Sequence, residues 1–257
     1  MPDLGIDARR HQAVEGCWYR PTVQLATREN RHEEWVDVDF SHQAFDWFGA
    51  FGGTFVRCDF TETSFERFSV GHEGQTRFID CRFQRTRFPL GNTHFFNARL
   101  QRCVFDGARL RDLRVDSAEF VDCVFRGRIW HTMFFGRPFM RGTLDREHNE
   151  WHGNDFSAAD LVDVSFRDID LHLQRWPDTA EYALIDRIDE RVAAATASVR
   201  DWPDRVLAEL NDLRDHTHRD PHGFVLVRRR ELGHRLTPRL RDQLWALLVE
   251  DYNDDQT

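Results

Sequence analysis

The sequence predicts a mainly β protein. A solenoid of five-residue repeats over residues 38–172 is followed by a small α-helical domain over residues 173–257. Three observations support this. A large apolar side chain recurs every five residues through the middle of the chain, a small residue usually precedes it by two positions, and the apolar spacing becomes helical after Leu171. Residues 1–37 do not follow the repeat, and we expect them to cap the first coil.

The five-residue spacing extends over most of the central region. It slips after Val70 and after Phe88, and a longer break falls at residues 141–148. A helix has a period of about 3.6 residues and a strand a period of about two, so neither could keep one face apolar at this spacing. The repeat positions are Phe40, Phe45, Ala50, Phe55, Phe60, Phe65, Val70, Phe78, Phe83, Phe88, Phe95, Leu100, Phe105, Leu110, Val115, Phe120, Phe125, Trp130, Phe135, Met140, Trp151, Phe156, Leu161, Phe166 and Leu171.

The small residues two positions earlier complete the pattern. It is clearest in CDFTETSFERF, TRFIDCRFQRTRF and NARLQRCVFDGARLRDLRVDSAEFVDCVF. Over about half of its length the sequence resembles pentapeptide-repeat proteins. The resemblance implies a right-handed quadrilateral β-helix, with four faces and about twenty residues per coil. The repeat position and the small residue before it would then point inward.

Four cysteines support this register. If each coil contains four repeats, the four cysteines fall on one face, one cysteine per coil, each at the small inward position. About six coils result, and a strand spacing of ~4.8 Å would make a rod roughly 29 Å long. We expect the cysteines to be inert, small buried residues rather than disulfides or metal ligands. Each precedes a predicted core phenylalanine, in the pairs Cys58 and Phe60, Cys81 and Phe83, Cys103 and Phe105, and Cys123 and Phe125.

The interruptions provide candidate contact residues. Residues 71–75 and 89–92 have turn-forming compositions, and insertions in solenoids map to surface loops. The 141–148 loop contributes the candidates Arg141, Asp145, Arg146 and Glu147. The alternative is that these loops are tolerated insertions without a partner.

An apolar patch is predicted beside the third loop. Ile129, Phe134 and Phe139 each precede a counted repeat position, so the register places them outward. Exposed apolar patches mark contacts. We expect the C-terminal segment, the 141–148 loop or a second subunit to cover this one; isolated surface aromatics are the alternative.

Helical spacing predicts the C-terminal domain. Tyr182 to Val199 would form one amphipathic helix and Val206 to Leu213 a second. Thr237 and Pro238 suit the cap and first residue of a last helix. We expect this domain to cap the solenoid, to form a homodimer, or both.

Composition narrows the functional classes. The net charge is −9, and residues 38–172 carry 20 acidic and 17 basic side chains, so direct nucleic-acid binding is not expected. The sequence shows neither a membrane-spanning apolar run nor a secretory signal, and its five cysteines lack C-x-x-C spacing, so we expect a cytoplasmic protein.

Catalytic chemistry is not expected either. Phosphate-loop and hydrolase motifs do not occur in the sequence, and a filled solenoid has no interior pocket, so we predict no enzyme activity and no cofactor. The weak metal candidates are His216, His218 and His222, for which a solvated loop is the preferred interpretation.

The favoured function is therefore a protein-binding scaffold. The resemblance implies one specific version, because some pentapeptide-repeat proteins bind DNA gyrase or topoisomerase IV as DNA mimics. The scattered arginines of the repeat region argue against such mimicry. The alternative is a metal-binding, ligand-binding or catalytic C-terminal module that the solenoid supports.

Overall fold

The computed structural model describes residues 26–139, 144–199, 201–216, 220–233 and 236–250. Within these ranges, sixteen strands, three α-helices and two short helical turns follow one another along the chain. The strands are β1 Ala26–Val36, β2 Ala44–Val56, β3 Ser64–Phe65, β4 Phe68–Val70, β5 Thr76–Ile79, β6 Thr93–Phe95, β7 Ala98–Gln101, β8 Val104–Asp106, β9 Leu110–Arg111, β10 Arg114–Val115, β11 Glu119–Val121, β12 Val124–Phe135, β13 Trp151–His152, β14 Asp155–Arg167, β15 Tyr182–Ile185 and β16 Val225–Arg228. The helices are α1 Ile188–Ser198, α2 Asp204–His216 and α3 Pro238–Trp245, with a 3₁₀ turn at Leu171–Leu173 and a π turn at Ala246–Glu250.

Strands β1 to β14 form a β-solenoid of stacked parallel coils, which confirms the predicted fold class. Each strand pairs with the equivalent strand of the next coil, so repeat positions lie opposite one another. Phe55 pairs with Phe78, Phe78 with Leu100, and Leu100 with Phe120. We number the faces in chain order, starting with the one that carries Phe40. The first-face residues of the six coils are Phe40, Phe60, Phe83, Phe105, Phe125 and Phe156.

The corners between faces use left-handed backbone. On the corner before the first face, five successive coils place a non-glycine residue at a φ of 51–56°. This conformation costs an L-residue roughly 1 kcal/mol. Hydrogen bonds between coils hold it in place, as where Arg57 N donates to Ile79 O at 2.8 Å. These corner residues are Asp37, Arg57, Asp80, Arg102 and Asp122.

A column of stacked rings fills the first face. Six phenylalanines and Trp176 stack with centroids 4.4–5.2 Å apart and ring planes within 13° of parallel. The separation matches the ~4.8 Å rise between strands, because each coil repeats the side-chain position of the last. Burying each such ring stabilises the stack by roughly 1.5–3 kcal/mol. The predicted core residues Phe60, Phe83, Phe105 and Phe125 all lie buried in this column.

The small inward residues also form hydrogen bonds. Thr63 and Thr86 donate to Phe40 O and Phe60 O at 2.8 and 2.7 Å. The thiols donate in the same way to the carbonyl of the preceding coil, at 3.3–3.4 Å, from Cys58, Cys81, Cys103 and Cys123. Burial raises the pKa of the Cys103 thiol, which keeps it protonated as a donor. Thus the cysteines act as weak donors, a role that their size alone did not predict.

Polar side chains end this inward column. Asn154 stands where the earlier coils carry cysteine, and its amide donates to Phe120 O at 2.8 Å. The amide oxygen of Gln174 accepts from Asn154 N at 3.2 Å. Both side chains are buried and supply hydrogen bonds where the regular ladder stops.

The predicted register is wrong after Phe125. Arg126 lies opposite Asp106 but Ile129 lies opposite Leu110, so this repeat is one residue shorter than its neighbour. Ile129 and Phe134 therefore point inward, each 2% exposed, and Trp130 and Phe135 lie outside. Only Phe139 of the predicted patch is exposed, at 69%.

The N-terminal boundary also differs. β1 pairs with β2 in parallel, with Trp35 opposite Phe55, so the stack extends ahead of residue 38. Residues 1–25 of the predicted cap lie outside the described residues.

The C-terminal region combines helices with a hairpin. Residues 182–185 form a strand, not the start of the predicted helix, because they pair antiparallel with β16. Helix α1 begins at Ile188. Helix α3 begins as predicted, and Thr237 Oγ1 accepts a hydrogen bond from Leu240 N. The hairpin packs against the solenoid core through Tyr182, Leu184 and Leu226.

Candidate protein-interaction surface

The outer surface of the third face concentrates aromatic and arginine side chains. β2 directs Trp47, Gly49 and Phe51 to the side of the strand opposite the core residues Phe48 and Ala50, because side chains alternate along a strand. Phe51 is only 8% exposed, because Arg31, Trp47 and His72 lie around its ring. The equivalent strands of later coils add further outward residues. We call this set the third-face exterior, comprising Arg31, Trp47, Phe51, Arg67, His72, His94, Phe96, Arg114, Phe135, Phe139 and Arg167.

The outward rings of the first three coils form a connected chain. Trp47 meets Phe51 edge to face at 6.1 Å between centroids. His72 lies 6.0 Å from Phe51 and 4.0 Å from Phe96, so it joins rings from two coils. His94 stacks on Phe96 at 5.3 Å. The result is an open groove of about 450 Å³ beside Trp47.

Two glycines make this arrangement possible. A side chain at Gly49 would place its Cβ 3.0 Å from the Phe51 ring and 3.1 Å from the Trp47 ring. Gly71 opens the first predicted insertion with a φ of 85°, and a Cβ there would lie 2.4–2.6 Å from Asn97 backbone atoms. The insertion thereby turns outward and places His72 between the two phenylalanines.

Guanidinium groups lie over the rings. Arg31 stands 4.8 Å from the Phe51 centroid, and Arg67 stands 5.6 Å from that of Trp47. Carboxylates hold both cations: Arg31 Nη1 pairs with Glu73 Oε2 at 2.6 Å, and Arg67 pairs with Asp46 at 3.1 Å. Cation–π contacts of this kind contribute about 0.5–1 kcal/mol at exposed sites.

A second group lies farther along the same face. Arg114 stands 4.7 Å from the Phe135 centroid and 5.2 Å from that of Phe139. Arg167 approaches Phe135 at 5.6 Å, and Asp116 fixes Arg114 through a 2.7 Å hydrogen bond. Phe135 is outward only because of the shortened repeat after Phe125.

The described part of the third loop is fixed to the solenoid. Arg146 donates to Asn97 Oδ1 at 2.7 Å and to the Ser117 carbonyl, and its Nε lies 3.5 Å from the buried Glu119. These contacts within the fold occupy its guanidinium. Asp145 and Glu147 are exposed, and Arg141 lies outside the described residues.

Glu119 belongs to a network of charges on the fourth face. Arg99 bridges Glu119 and Glu150. Hydrogen bonding from Arg99, and then from His152, lowers the pKa of Glu150. The network binds the end of the third loop to two coils, which gives these residues a structural role.

The histidine candidates do not assemble into a site. The exposed His222 lies with its Nε2 3.2 Å from the half-buried Asp170, while His218 lies outside the described residues and His216 ends α2. Among the residues that can be described, no group of three or more His, Cys, Asp or Glu side chains could hold a metal ion.

Charges alternate along the corner before the first face. The column reads Asp37, Arg57, Asp80, Arg102, Asp122 over five coils. Arg57 forms a bidentate pair with Asp37 at 2.6 Å, and Arg102 forms another with Asp80 at 2.7 and 2.9 Å. Hydrogen bonds from these arginines lower the pKa of Asp37 and of Asp80. This edge of the rod is therefore close to neutral.

The repeats of this chain match those of known proteins. Residues 90–127 match the family model described as pentapeptide repeats, in 8 copies, so this stretch consists of pentapeptide repeats. Among solved structures, a trypsin-treated variant of QnrB1, described as a plasmid-mediated fluoroquinolone resistance protein, matches with 17% identity. The match covers 60% of this chain and 74% of that chain, with a TM-score of 0.22. The curated proteins contain no match. In the part of the chain that is described, no helix has the length and apolar character to cross a membrane.

Sequence reasoning missed the third-face exterior. The signal was present, because Trp47 and Phe51 flank inward residues and Phe96 directly follows one. Which rings would meet depends on the path of residues 71–75, and that path has no signature in the repeat.

Proposed function

We propose that this protein is a non-enzymatic scaffold that binds another protein through its third-face exterior. The observation that carries this proposal is the chain of rings from Trp47 to Phe96, flanked by Arg31 and Arg67. Aromatic residues and arginine are enriched at the energetic centres of protein interfaces, where they supply large contact areas.

Rigidity supports the same proposal. Trp47 and Phe51 extend from β2, and the residues next to them on this strand, Phe48 and Ala50, are buried in the stack. A surface already held in place loses little conformational entropy on binding. Solenoids commonly use such extended faces for recognition.

Binding to a type II topoisomerase as a DNA mimic is the narrower version. The resemblance to pentapeptide-repeat proteins suggests it, and the description of QnrB1 as a fluoroquinolone resistance protein is compatible with it. Duplex mimicry needs a continuous anionic surface, whereas the Asp37 to Asp122 corner column alternates in sign. We therefore favour the broader proposal, in which the partner is a protein and the rod does not mimic DNA.

The main test compares two variants of the full chain. Trp47→Ala with Arg67→Ala removes the centre of the proposed surface. Trp130→Ala with Arg111→Ala removes an equivalent ring and cation, 4.4 Å apart, from a different face. A partner is first captured with the wild-type chain, then purified and titrated against all three proteins.

We expect the Trp47 variant to weaken binding about thirtyfold or more, as for an interface hot spot. The Trp130 variant should bind as wild type. Equal affinities for the wild type and the Trp47 variant would refute the third-face surface. Loss of binding in the Trp130 variant alone would place the interface on another face.

A gyrase supercoiling assay tests the narrower version. With the purified chain at tens of micromolar, roughly the range of weak specific binding, we expect no inhibition and no protection from a fluoroquinolone. A dose-dependent effect would restore the topoisomerase hypothesis.

A further inference from the structure

Two arginines face each other on the outer surface of the second face. Arg87 lies opposite Arg109 in an isolated parallel bridge between neighbouring coils, so their backbones are about 4.8 Å apart. Both residues are exposed. We call them the arginine pair. Like charges directly opposite on adjacent strands destabilise a sheet, so the fold does not gain from this arrangement by itself.

Carboxylates neutralise the neighbouring arginines but not this pair. Glu62 binds Arg85, and Asp160 binds Arg128 at 2.8 Å. In the part of the chain that the structure describes, neither guanidinium of the pair forms a hydrogen bond, an ion pair or a ring contact. The pair therefore presents two positive charges that the described residues of the fold leave unneutralised.

Two facing arginines on the fourth face show the contrast. Arg77 lies opposite Arg99 in neighbouring coils. There Arg99 bridges Glu119 and Glu150, and Arg77 Nε donates to Gln75 at 3.2 Å. On the fourth face the fold thus supplies acceptors for both guanidiniums. Its described residues supply none on the second face, which indicates that the acceptor there belongs to another molecule.

The corner between the first and second faces is bare beside the pair. In the first three coils this corner carries His42, Glu62 and Arg85, each at a φ of 50–58°. The next two coils carry Gly107 and Gly127. Left-handed backbone does not require glycine at position 107, because the equivalent positions hold side chains and a Cβ there would make an ordinary 3.6 Å contact with Arg85. The missing side chains leave the corner open.

A phosphate monoester matches the pair in charge and geometry. At neutral pH it carries a charge of about −1.5 to −2, close to the two positive charges that it would meet. Its three oxygens accept the parallel N–H bonds that a guanidinium donates, and arginine clusters commonly recognise phosphate in this way. A single carboxylate would neutralise only one of the two guanidiniums.

The pair is too short to follow a nucleic-acid backbone. Among the described residues of this column, Ser64 precedes the pair, and Arg128 beyond it is already bound to Asp160. The row of free cations therefore ends after two. The net charge of −9 also opposes a long polyanion.

The open surface favours a phosphate that is carried by a polypeptide. Exposed guanidiniums bind a free anion only weakly, because water and salt screen them. A phosphorylated segment gains further contacts from the residues around its phosphate, and the bare corner leaves room for that segment.

We infer that the arginine pair and the bare corner at Gly107 and Gly127 bind a phosphorylated serine or threonine side chain of another polypeptide. Both guanidiniums donate to the phosphate oxygens, and the segment that carries the phosphate crosses the corner. The inference does not rest on the third-face exterior, which lies on a different face of the solenoid.

Fluorescence anisotropy with the full chain tests this with defined probes. The main probe is a labelled pool of degenerate heptapeptides with a fixed central phosphoserine, and the comparison probes are the same pool with serine or glutamate at the centre, and a short oligothymidylate. We expect saturable binding of the phosphoserine pool and at least about tenfold weaker binding of the others. Binding should weaken as pH falls through about 6, where the phosphate loses its second charge.

Two matched double variants locate the binding. Arg87→Gln with Arg109→Gln should weaken binding of the phosphoserine pool about tenfold or more. Its melting temperature should be unchanged or higher, because the like charges are removed. The control, Arg57→Gln with Arg102→Gln, removes the same number of exposed charges from the corner before the first face and should bind as wild type.

Two further variants separate the surfaces. Gly107→Glu places a carboxylate on the bare corner, on backbone equivalent to that of Glu62, and should also weaken binding about tenfold. The variant with Trp47→Ala and Arg67→Ala should bind the phosphoserine pool as wild type. Failure of the third-face proposal would therefore leave this result unchanged.

Four results would overturn the inference. The first is no saturable binding of the phosphoserine pool up to about 1 mM chain, and the second is equal binding by the Arg87/Arg109 variant. The third is equal binding by the Gly107 variant, which would remove the corner from the site. The fourth is an equal affinity for the glutamate pool, the oligothymidylate or competing inorganic phosphate, which would assign the pair to an acidic peptide, a nucleic acid or a free anion.

Discussion

The solenoid and the C-terminal region are built on different principles. In the solenoid every coil repeats the contacts of the one before, so its core is a stack of equivalent rings. The C-terminal region has a separate core of mostly aliphatic side chains from two strands and three helices, including Val206, Leu210 and Leu244. The solenoid is stabilised by the same contacts repeated from coil to coil along one axis, and the C-terminal region by the packing of strands and helices against one another.

Polar contacts join the two regions. Arg228 reaches across to Asp160 and the Leu161 carbonyl, the Tyr182 hydroxyl accepts from Leu161 N at 3.0 Å, and Asp220 accepts from Leu171 N at 2.7 Å. The difference implies that a change within the stack should affect neighbouring coils, whereas a change at the junction should affect how the two regions dock.

Removing one ring of the stack should have the largest effect. Phe105 lies between Phe83 and Phe125, with centroids 4.9 and 5.0 Å away. Phe105→Ala should lower the free energy of unfolding by about 3–5 kcal/mol through lost burial and the cavity left behind. Urea denaturation measures the change. Phe139→Ala, at the exposed end of the third face, is the control and should stay within about 0.5 kcal/mol of wild type.

Breaking the junction ion pair should come next. Arg228→Met keeps the stem but removes a guanidinium that is 3% exposed and paired with Asp160 and Glu231. We expect a loss of about 1.5–3 kcal/mol, because the Leu161 carbonyl and two partly exposed carboxylates are left without their buried cation. The matched control is Arg230→Met, whose charge is 60% exposed. If the solenoid and the C-terminal region unfolded in a single transition in both Phe105→Ala and Arg228→Met, the two regions would be one cooperative unit.

An inward hydroxyl should matter less. Thr86 Oγ1 donates to Phe60 O at 2.7 Å inside the stack. Thr86→Val keeps the volume and removes the bond, so we expect a loss of about 1–2 kcal/mol in chemical denaturation. Thr54→Val, on the outside of β2, should change little. Equal effects at the two positions would show that the interior bonds add no stability.

The smallest expected effect is a pH dependence at the junction. Partial burial pushes the pKa of Asp160 up, but hydrogen bonds and charges from Arg128 and Arg228 outweigh this and lower it. Its stabilising contribution is therefore full above the unfolded value, roughly 3.9, and is lost as pH falls through the lower folded value. Melting curves between neutral pH and pH ~3 should show a shallower acid loss for Arg228→Met than for wild type.

The sequence predicted most of the solenoid because each five-residue repeat forms one face of a coil. A large residue every fifth position and a cysteine in every coil were enough to place Phe60, Phe83, Phe105 and Phe125 in one column. The prediction failed where one residue is missing after Phe125. A change of one residue reverses inward and outward positions, so Ile129 and Phe134 became core and the predicted patch was lost.

The candidate surfaces were less predictable for the same reason. The stack does not constrain which residue types occupy the outward positions. The spacing of these positions therefore does not predict which outward side chains contact one another. His72 joins Phe51 and Phe96 only because an insertion beginning at Gly71 turns outward. Likewise, Arg146 reaches Glu119 through a loop whose path is not periodic.

By itself, the sequence determined the repeat, the parallel stack and the identity of the core, since a short period forces each coil to bury the same positions. Only the tertiary structure decided the exact inward set after Phe125, the strand at residues 182–185 and the groove of the third-face exterior. Each of these depends on contacts between residues far apart in the chain, such as Tyr182 with Arg228 across the hairpin. Local spacing cannot encode such contacts, because their free energy appears only when the distant partners meet.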